Sequence, residues 1–388
     1  MNPKISSINY GRHEVSQEDI DAVVDTLKSD YLTQGPKVEE FETKFAEYIG
    51  SKYAVAVSNG TAALHISALA LGVKKGKKVI TSPLSFVATS NAVLYCGGEI
   101  EFCDINNKTL TLDINQVRKK IESQPKGTYD GIIPIDFAGY PVQMEEFRDL
   151  ADEHNLWLLE DSCHAPGGTF YDSIGKLQNC GNGNFAELAI FSFHPVKHIA
   201  CGEGGMITTN DQILYNKLLL LRSHGINKNI GQLAENHGGW YYEMQDLGFN
   251  YRMSDINAAL GISQLTKANI NLQKRKKIAK DYDLAFKDLK SINLIDSVAG
   301  HAYHLYIIQV KERNELYEYL KKENIFTQVH YIPIHLQPYY RAMGWEKGMF
   351  PVVEEYYSKT LTLPIYPSLS NLEQKRIIDL IRCFYSNE

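Results

Sequence analysis

Short apolar runs alternate with amphipathic stretches through the first 210 residues of the 388-residue chain. The runs YAVAV (53–57), KVITS (78–82), EIEFCDI (99–105), GIIPI (131–135), LWLLE (156–160), ELAIFSF (187–193) and GMITT (205–209) are almost continuously apolar. That pattern predicts strands buried on both faces. Between most of them lie stretches with helical spacing: TAALHISALALG, SFVATSNAVLYCG, DINQVRKKIES and MEEFRDLADEHN. Thr61 and Asp113 are N-cap candidates and Gly72 a C-cap candidate. Strand and helix in alternation predict an α/β fold with a mostly parallel sheet, in which ligands gather beyond the strand carboxyl ends.

The pattern changes after about residue 210. A helical stretch, DQILYNKLLLLRSHG, leads into a Gly-, Asn- and aromatic-rich excursion, INKNIGQLAENHGGWYYEMQDLGFNYRM, without clear periodicity. A long helix then follows, capped by Ser254 or Asp255, and after it a small α+β unit. That unit has a strand at YHLYIIQV, a helix at 312–323, the stretch FTQVHYIPI and a last helix at 371–385. These boundaries predict a large α/β domain over 1–253 and a smaller α+β domain over 254–388.

Composition narrows the function classes. A net charge of −6 gives no broad electrostatic reason to expect nucleic acid as partner. No apolar run approaches the roughly 20 residues that span a bilayer, and the N-terminus MNPKISSINYGRHEVSQEDI has no apolar signal core. Cysteines 96, 103, 163, 180, 201 and 383 form no C-x-x-C pair, which predicts reduced thiols in a cytoplasmic protein.

Three strand ends carry candidate chemistry. SNGTAALH opens a helix with free N–H groups near Gly60, Thr61 and Ala62, a ready phosphate site or simply an Asn-Gly turn with a capped helix. LWLLEDSCHAPGG ends on Asp161, which holds a protonated ring nitrogen, binds a metal or caps the next turn. FSFHPVKHIACGEGGM sets Ser192 at a strand end and Lys197 five residues on, either a surface lysine or one kept partly deprotonated to form a Schiff base. A phosphate cradle, an aspartate and a lysine together match one cofactor, pyridoxal 5'-phosphate (PLP). Phe86 is a candidate aromatic lid for its ring, or a helix-packing residue.

With these segments in view, the chain resembles the DegT/DnrJ/EryC1/StrS sugar aminotransferases, PLP enzymes of the aspartate aminotransferase-like (type I) fold with a seven-stranded sheet. The resemblance runs through YLTQGPKVEEFE, SNGTAALH, EDSCHA, FSFHPVKHIACGEGGM, LGFNYRMSDINAALGISQL and VHYIPIH. It implies that Lys197 carries the cofactor and shuttles protons, that Asp161 pairs with the pyridine nitrogen, and that His164 sits by the ring hydroxyl. It gives the phosphate to Ser192 and the Gly60–Thr61–Ala62 turn. Tyr10, Tyr31, Thr33, His330 and Tyr331 would face a sugar nucleotide, and Asn250 would reach a neighbouring subunit's site, implying a homodimer. Arg12, Arg222 and Arg252 are candidates for a diphosphate. GGWYYEMQDLGFNYRMSDI looks closest to the pseudaminic acid branch. That branch implies amination of C4 of a UDP-linked 4-keto-6-deoxy-N-acetylhexosamine, with glutamate as donor.

Rival readings fare worse. His194, His198 and Cys201, with Cys163 and His164, suggest zinc, but Pro195 opposes a helix presenting both histidines and no H-E-x-x-H occurs, so no metal is expected. A nicotinamide enzyme would need G-x-G-x-x-G after the first strand, which is absent. A dehydratase branch of the family has histidine at the lysine position, and a non-catalytic scaffold would not need Lys197, Asp161, Ser192 and Thr61 together.

Overall fold

The computed structural model describes residues 7–386. All seven apolar runs enter one sheet: β1 Tyr53–Val57, β2 Lys78–Thr81, β3 Glu99–Phe102, β4 Gly131–Ile133, β5 Trp157–Asp161, β6 Leu188–Ser192 and β7 Gly205–Thr209. They lie in the order β1-β7-β6-β5-β4-β2-β3, with β7 antiparallel to both neighbours and the other pairs parallel.

Successive side chains of a strand point to opposite faces, and the cores follow that parity. Val55, Val57, Val79, Ile133, Leu159, Ile190 and Ile207 face the layer holding helices Gly60–Ala70 and Ala88–Tyr95. Ile80, Ile132 and Leu158 face the other side, with Val117, Phe147 and Leu150 from two amphipathic helices. Ala54, Ala56, Phe191 and Met206 also face that way, against Phe41, Phe45 and Ala258. The helix Gly60–Ala70 is buried almost all round, which explains why it has no polar face.

The caps refine the expectations. Asn59, not Thr61, is the N-cap of Gly60–Ala70: its side chain accepts from the Ala62 N–H at 2.8 Å. Asp113 caps its helix as expected, and Gly72 follows the C-cap with φ +84°, where a Cβ would be strained. The helix expected to run on from Ser254 breaks at Lys267 into Asp255–Thr266 and Ala268–Phe286. The two halves serve different cores. Ala258 of the first packs with Phe41 and Phe45, while Ile278, Tyr282 and Phe286 of the second pack with strands Tyr306–Val310 and Thr360–Leu363. Ile8 joins that second core, and Ile8–Asn9 pairs in parallel with Ile325–Phe326.

The excursion after residue 225 forms a short hairpin, Ile226–Asn227 with Glu243–Met244, that leaves Ile230, Trp240, Tyr242 and Leu247 exposed. Among the described residues no helix is long and apolar enough to cross a membrane.

Candidate active site

Strand parity places the chemistry. Asp161 shares the face of Leu159, and Ser192 that of Ile190, so both project from the ends of β5 and β6 toward the helix Gly60–Ala70. That helix begins against them: a Cβ built on Gly60 would lie 3.0 Å from the Ser192 Cβ. Gly205 at the start of β7 is as tight, since a Cβ there would meet the Asn59 carbonyl oxygen at 2.5 Å. The glycine turn lets the lysine loop close over the helix start. Because Asn59 already takes the Ala62 N–H, the N–H groups of Gly60 and Thr61 are those left at the open end.

Asp161 is buried, and its hydrogen-bond partners are neutral donors. Oδ2 accepts from the Thr89 hydroxyl at 2.7 Å, and Oδ1 from the Cys163 N–H at 3.2 Å. A buried carboxylate held only by neutral groups retains affinity for a cation. Lys197 stands on the loop after β6, its N–H bonded to the His194 carbonyl at 2.8 Å and its Nζ 3.4 Å from His304 Nε2. Burial lowers the Lys197 pKa, against the opposing pull of the Cys163 thiol and Asp161. His164 is neutral, its pKa pushed well down by burial and by Lys197. Its Nδ1 accepts from the Ala138 N–H at 3.2 Å, so the proton resides on Nε2, 3.4 Å from the Tyr331 hydroxyl.

These groups line one cavity of about 790 Å³. Gly60, Thr61, Ala62 and Ser192 lie at its lining with Asp161, His164 and Lys197, and Tyr10, Phe86, His330 and Tyr331 complete the predicted set found there. The Phe86 ring is 6.2 Å from that of Tyr331, and the Tyr10 ring 5.1 Å from that of His330. Tyr31, Thr33 and Asn250 lie elsewhere. Tyr31 is exposed, Thr33 bridges Ser254, and Asn250 bridges Ser223. Arg222 is already engaged by Glu42 and the Ala56 carbonyl, which removes it as a diphosphate candidate. His198 gives its Nε2 to the Ala302 carbonyl at 2.9 Å while His194 is exposed. Among the described residues the grouping with metal-ligand spacing is Asp136, Glu160 and Cys180, which includes neither histidine.

Two residues escaped the sequence reading. Thr89 lies three positions after Phe86 on the same helical approach, a spacing that places both near Asp161 once the helix start is known. His304 stands 107 positions from Lys197, and no local pattern connects them.

The family model of the DegT/DnrJ/EryC1/StrS aminotransferases matches residues 13–382. The chain belongs to that family. It is 38% identical, over 96% of each chain, to a UDP-4-amino-4,6-dideoxy-N-acetyl-beta-L-altrosamine transaminase of Campylobacter jejuni. The structure of Helicobacter pylori PseC, an aminotransferase of pseudaminic acid biosynthesis, superposes with a TM-score of 0.87 at 30% identity, covering 99% of this chain and 100% of that one. A putative sugar aminotransferase of Streptococcus pneumoniae in its PMP form gives 0.88 at 27%, covering 98% and 99%. The protein is thus a PLP-dependent sugar aminotransferase with the fold of that family. Its residues fit the cofactor: a buried carboxylate hydrogen-bonded by neutral donors, a lysine with lowered pKa, and a helix start pressed on a serine hydroxyl.

Proposed function

We propose that this aminotransferase converts a UDP-linked 4-keto-6-deoxy-N-acetylhexosamine to its 4-amino sugar, with glutamate as donor. The near full-length similarity to the Campylobacter transaminase carries this reading. When bound, PLP supplies an aldehyde that condenses with amines and a pyridinium ring that takes up an electron pair.

The chain's own groups do the rest. Lys197 would hold the cofactor and would take the proton from the donor Cα, for which its lowered pKa suits it. Asp161 holds the pyridinium N–H, fixed in place by Thr89. His164 presents Nε2–H to the ring hydroxyl from a position set by Ala138. Ser192 and the Gly60 and Thr61 N–H groups hold the phosphate at the helix start, beside Ala62. Phe86 covers the ring, while Tyr10, His330 and Tyr331 form the sugar side.

Tyr31, Thr33 and Asn250 serve the cavity of a second copy in a homodimer. Two observations support this: none of the three lines the cavity of its own chain, and the hairpin after residue 225 leaves Trp240 and Tyr242 exposed. The test is the visible absorption of the purified protein. Glutamate should bleach the cofactor band, and the UDP-4-keto sugar should restore it with formation of the 4-amino product by mass spectrometry. A band bleached by glutamate but not restored by that sugar overturns the substrate assignment.

A further inference from the structure

Lys197 is ringed by imidazoles. His164, His198, His304 and His330 are all buried, and burial pushes the pKa of each down, with the charge of Lys197 adding to the effect. The other groups facing the lysine are the Cys163 thiol and the Asp161 carboxylate at the end of β5. Arg275, from helix Ala268–Phe286, lies behind His304 and further disfavours its protonation.

Hydrogen bonds assign the tautomers. His164 takes the Ala138 N–H on Nδ1, and His198 donates Nε2–H to the Ala302 carbonyl while its Nδ1 meets no partner. His304 repeats the second arrangement. Its Nδ1 is buried without a hydrogen-bond partner, and its Nε2 meets the Lys197 Nζ at 3.4 Å. A proton on Nδ1 would leave a buried donor unmet, at a cost of about 1–3 kcal/mol. A bare Nδ1 is an unmet acceptor, which is tolerated more often. The proton therefore belongs on Nε2, where the amine nitrogen can accept it, and only an unprotonated amine has a lone pair to do so.

The backbone around His304 is fixed to hold this contact. The buried Arg275 guanidinium donates to the carbonyls of Tyr303, His304 and Ile365 at 3.3, 3.4 and 3.0 Å. On the other side, Ala302 and Leu305 donate to the carbonyls of Gly139 and Ala138, the same turn whose N–H orients His164. The His164 and His304 rings lie 4.3 Å apart at 39°.

We propose that His304 is a positioning residue that donates its Nε2–H to Lys197 and thereby holds the freed lysine as the unprotonated amine. This rests on Lys197 being the reacting amine, but the contact itself does not depend on the substrate. The amine has a single lone pair, so the contact opens when the lysine takes a proton, and until then it keeps the lysine in the form that can.

The test measures the pKa of Lys197 in the full-length chain stripped of cofactor, from the pH dependence of acetic anhydride labelling read by mass spectrometry. His304→Phe keeps a buried ring without the donor, and should raise the Lys197 pKa by about one unit, a tenfold change in proton affinity. His304→Gln keeps an N–H donor and should stay near the parent value. If the Phe variant does not fold, His304→Leu replaces it. A lowered pKa would mean that His304 accepts from an ammonium, and an unchanged one that it only packs; a Gln variant shifted as far as Phe would likewise overturn the proposal. Side-chain ¹⁵N spectra give an independent reading, with the His304 proton expected on Nε2. Loss of the cofactor's covalent attachment in Lys197→Ala belongs to the proposed function alone, so the two ideas fail separately.

Discussion

Glu160 and Asp161 are neighbours in the chain and differ in every electrostatic respect. Asp161 looks into the cavity and is held by neutral donors, while Glu160 points to the opposite face, fully buried beside Asp136. The Ser162 hydroxyl lies 2.7 Å from Asp136 Oδ2 and 3.0 Å from Glu160 Oε1. One hydroxyl proton cannot serve both oxygens, so one carboxyl carries a proton. Burial, with the Asp161 charge adding to it, pushes Asp136 up to about 6, and burial with the Asp136 charge pushes Glu160 well above the usual carboxylate range. A folded-state pKa raised above the unfolded one gives stability that is present below the unfolded value and is lost as pH rises through the folded value. Thermal melts from about pH 5 to pH 9 should thus show the parent losing stability more steeply than Glu160→Gln, which cannot ionise. The gap should grow with pH to about 1–3 kcal/mol. Parallel curves would mean that the pair shares no proton. The Asp136 N–H also donates to the Asp161 carbonyl at 3.1 Å, which ties the pair to the cavity residue beside it.

At the scale of elements, the proposed phosphate site rests on the start of helix Gly60–Ala70. Its open N–H groups and its dipole attract an anion only if the Ser192 end of β6 stays close. Gly60→Ala places a methyl 3.0 Å from the Ser192 Cβ and 3.3 Å from its Oγ, so the hydroxyl must move by tenths of an ångström. Fluorescence titration with PLP should show cofactor affinity falling about tenfold, equivalent to roughly 1.4 kcal/mol, with the melting temperature of the cofactor-free chain nearly unchanged. Unaltered affinity would show that the strand end yields freely and that the fit is loose. With Asn59 as cap, its side chain satisfies the Ala62 N–H, and the N–H groups of Gly60 and Thr61 precede it at the helix start.

At the scale of the whole molecule, Tyr31, Thr33 and Asn250 do not line the cavity of their own chain. If two copies share their sites, a chain lacking Lys197 and a chain lacking Asn250 complement each other. Mixing Lys197→Ala with Asn250→Ala, then unfolding and refolding together, should recover about a quarter of parental activity through heterodimers with one intact site. Activity no greater than the sum of the two separate variants would place each site within a single chain. Sedimentation of the parent should give a dimer at micromolar concentration.

The sequence by itself determined the seven strands, the strand-end positions of Asp161 and Ser192 with Lys197 on the loop beyond, and a helix opening within SNGTAALH, because each is written in local hydrophobic period and turn chemistry. It also carried the family, through motifs spread along nearly the whole chain. Only the tertiary structure decided which cap leaves which N–H free, why the helix after Ser254 breaks where its two halves meet different cores, and that Arg222 is spent on Glu42. It alone brought Thr89 to Asp161 and His304 to Lys197. Those pairings lie 72 and 107 positions apart and arise from packing of separate elements, for which no period in the chain provides a signal.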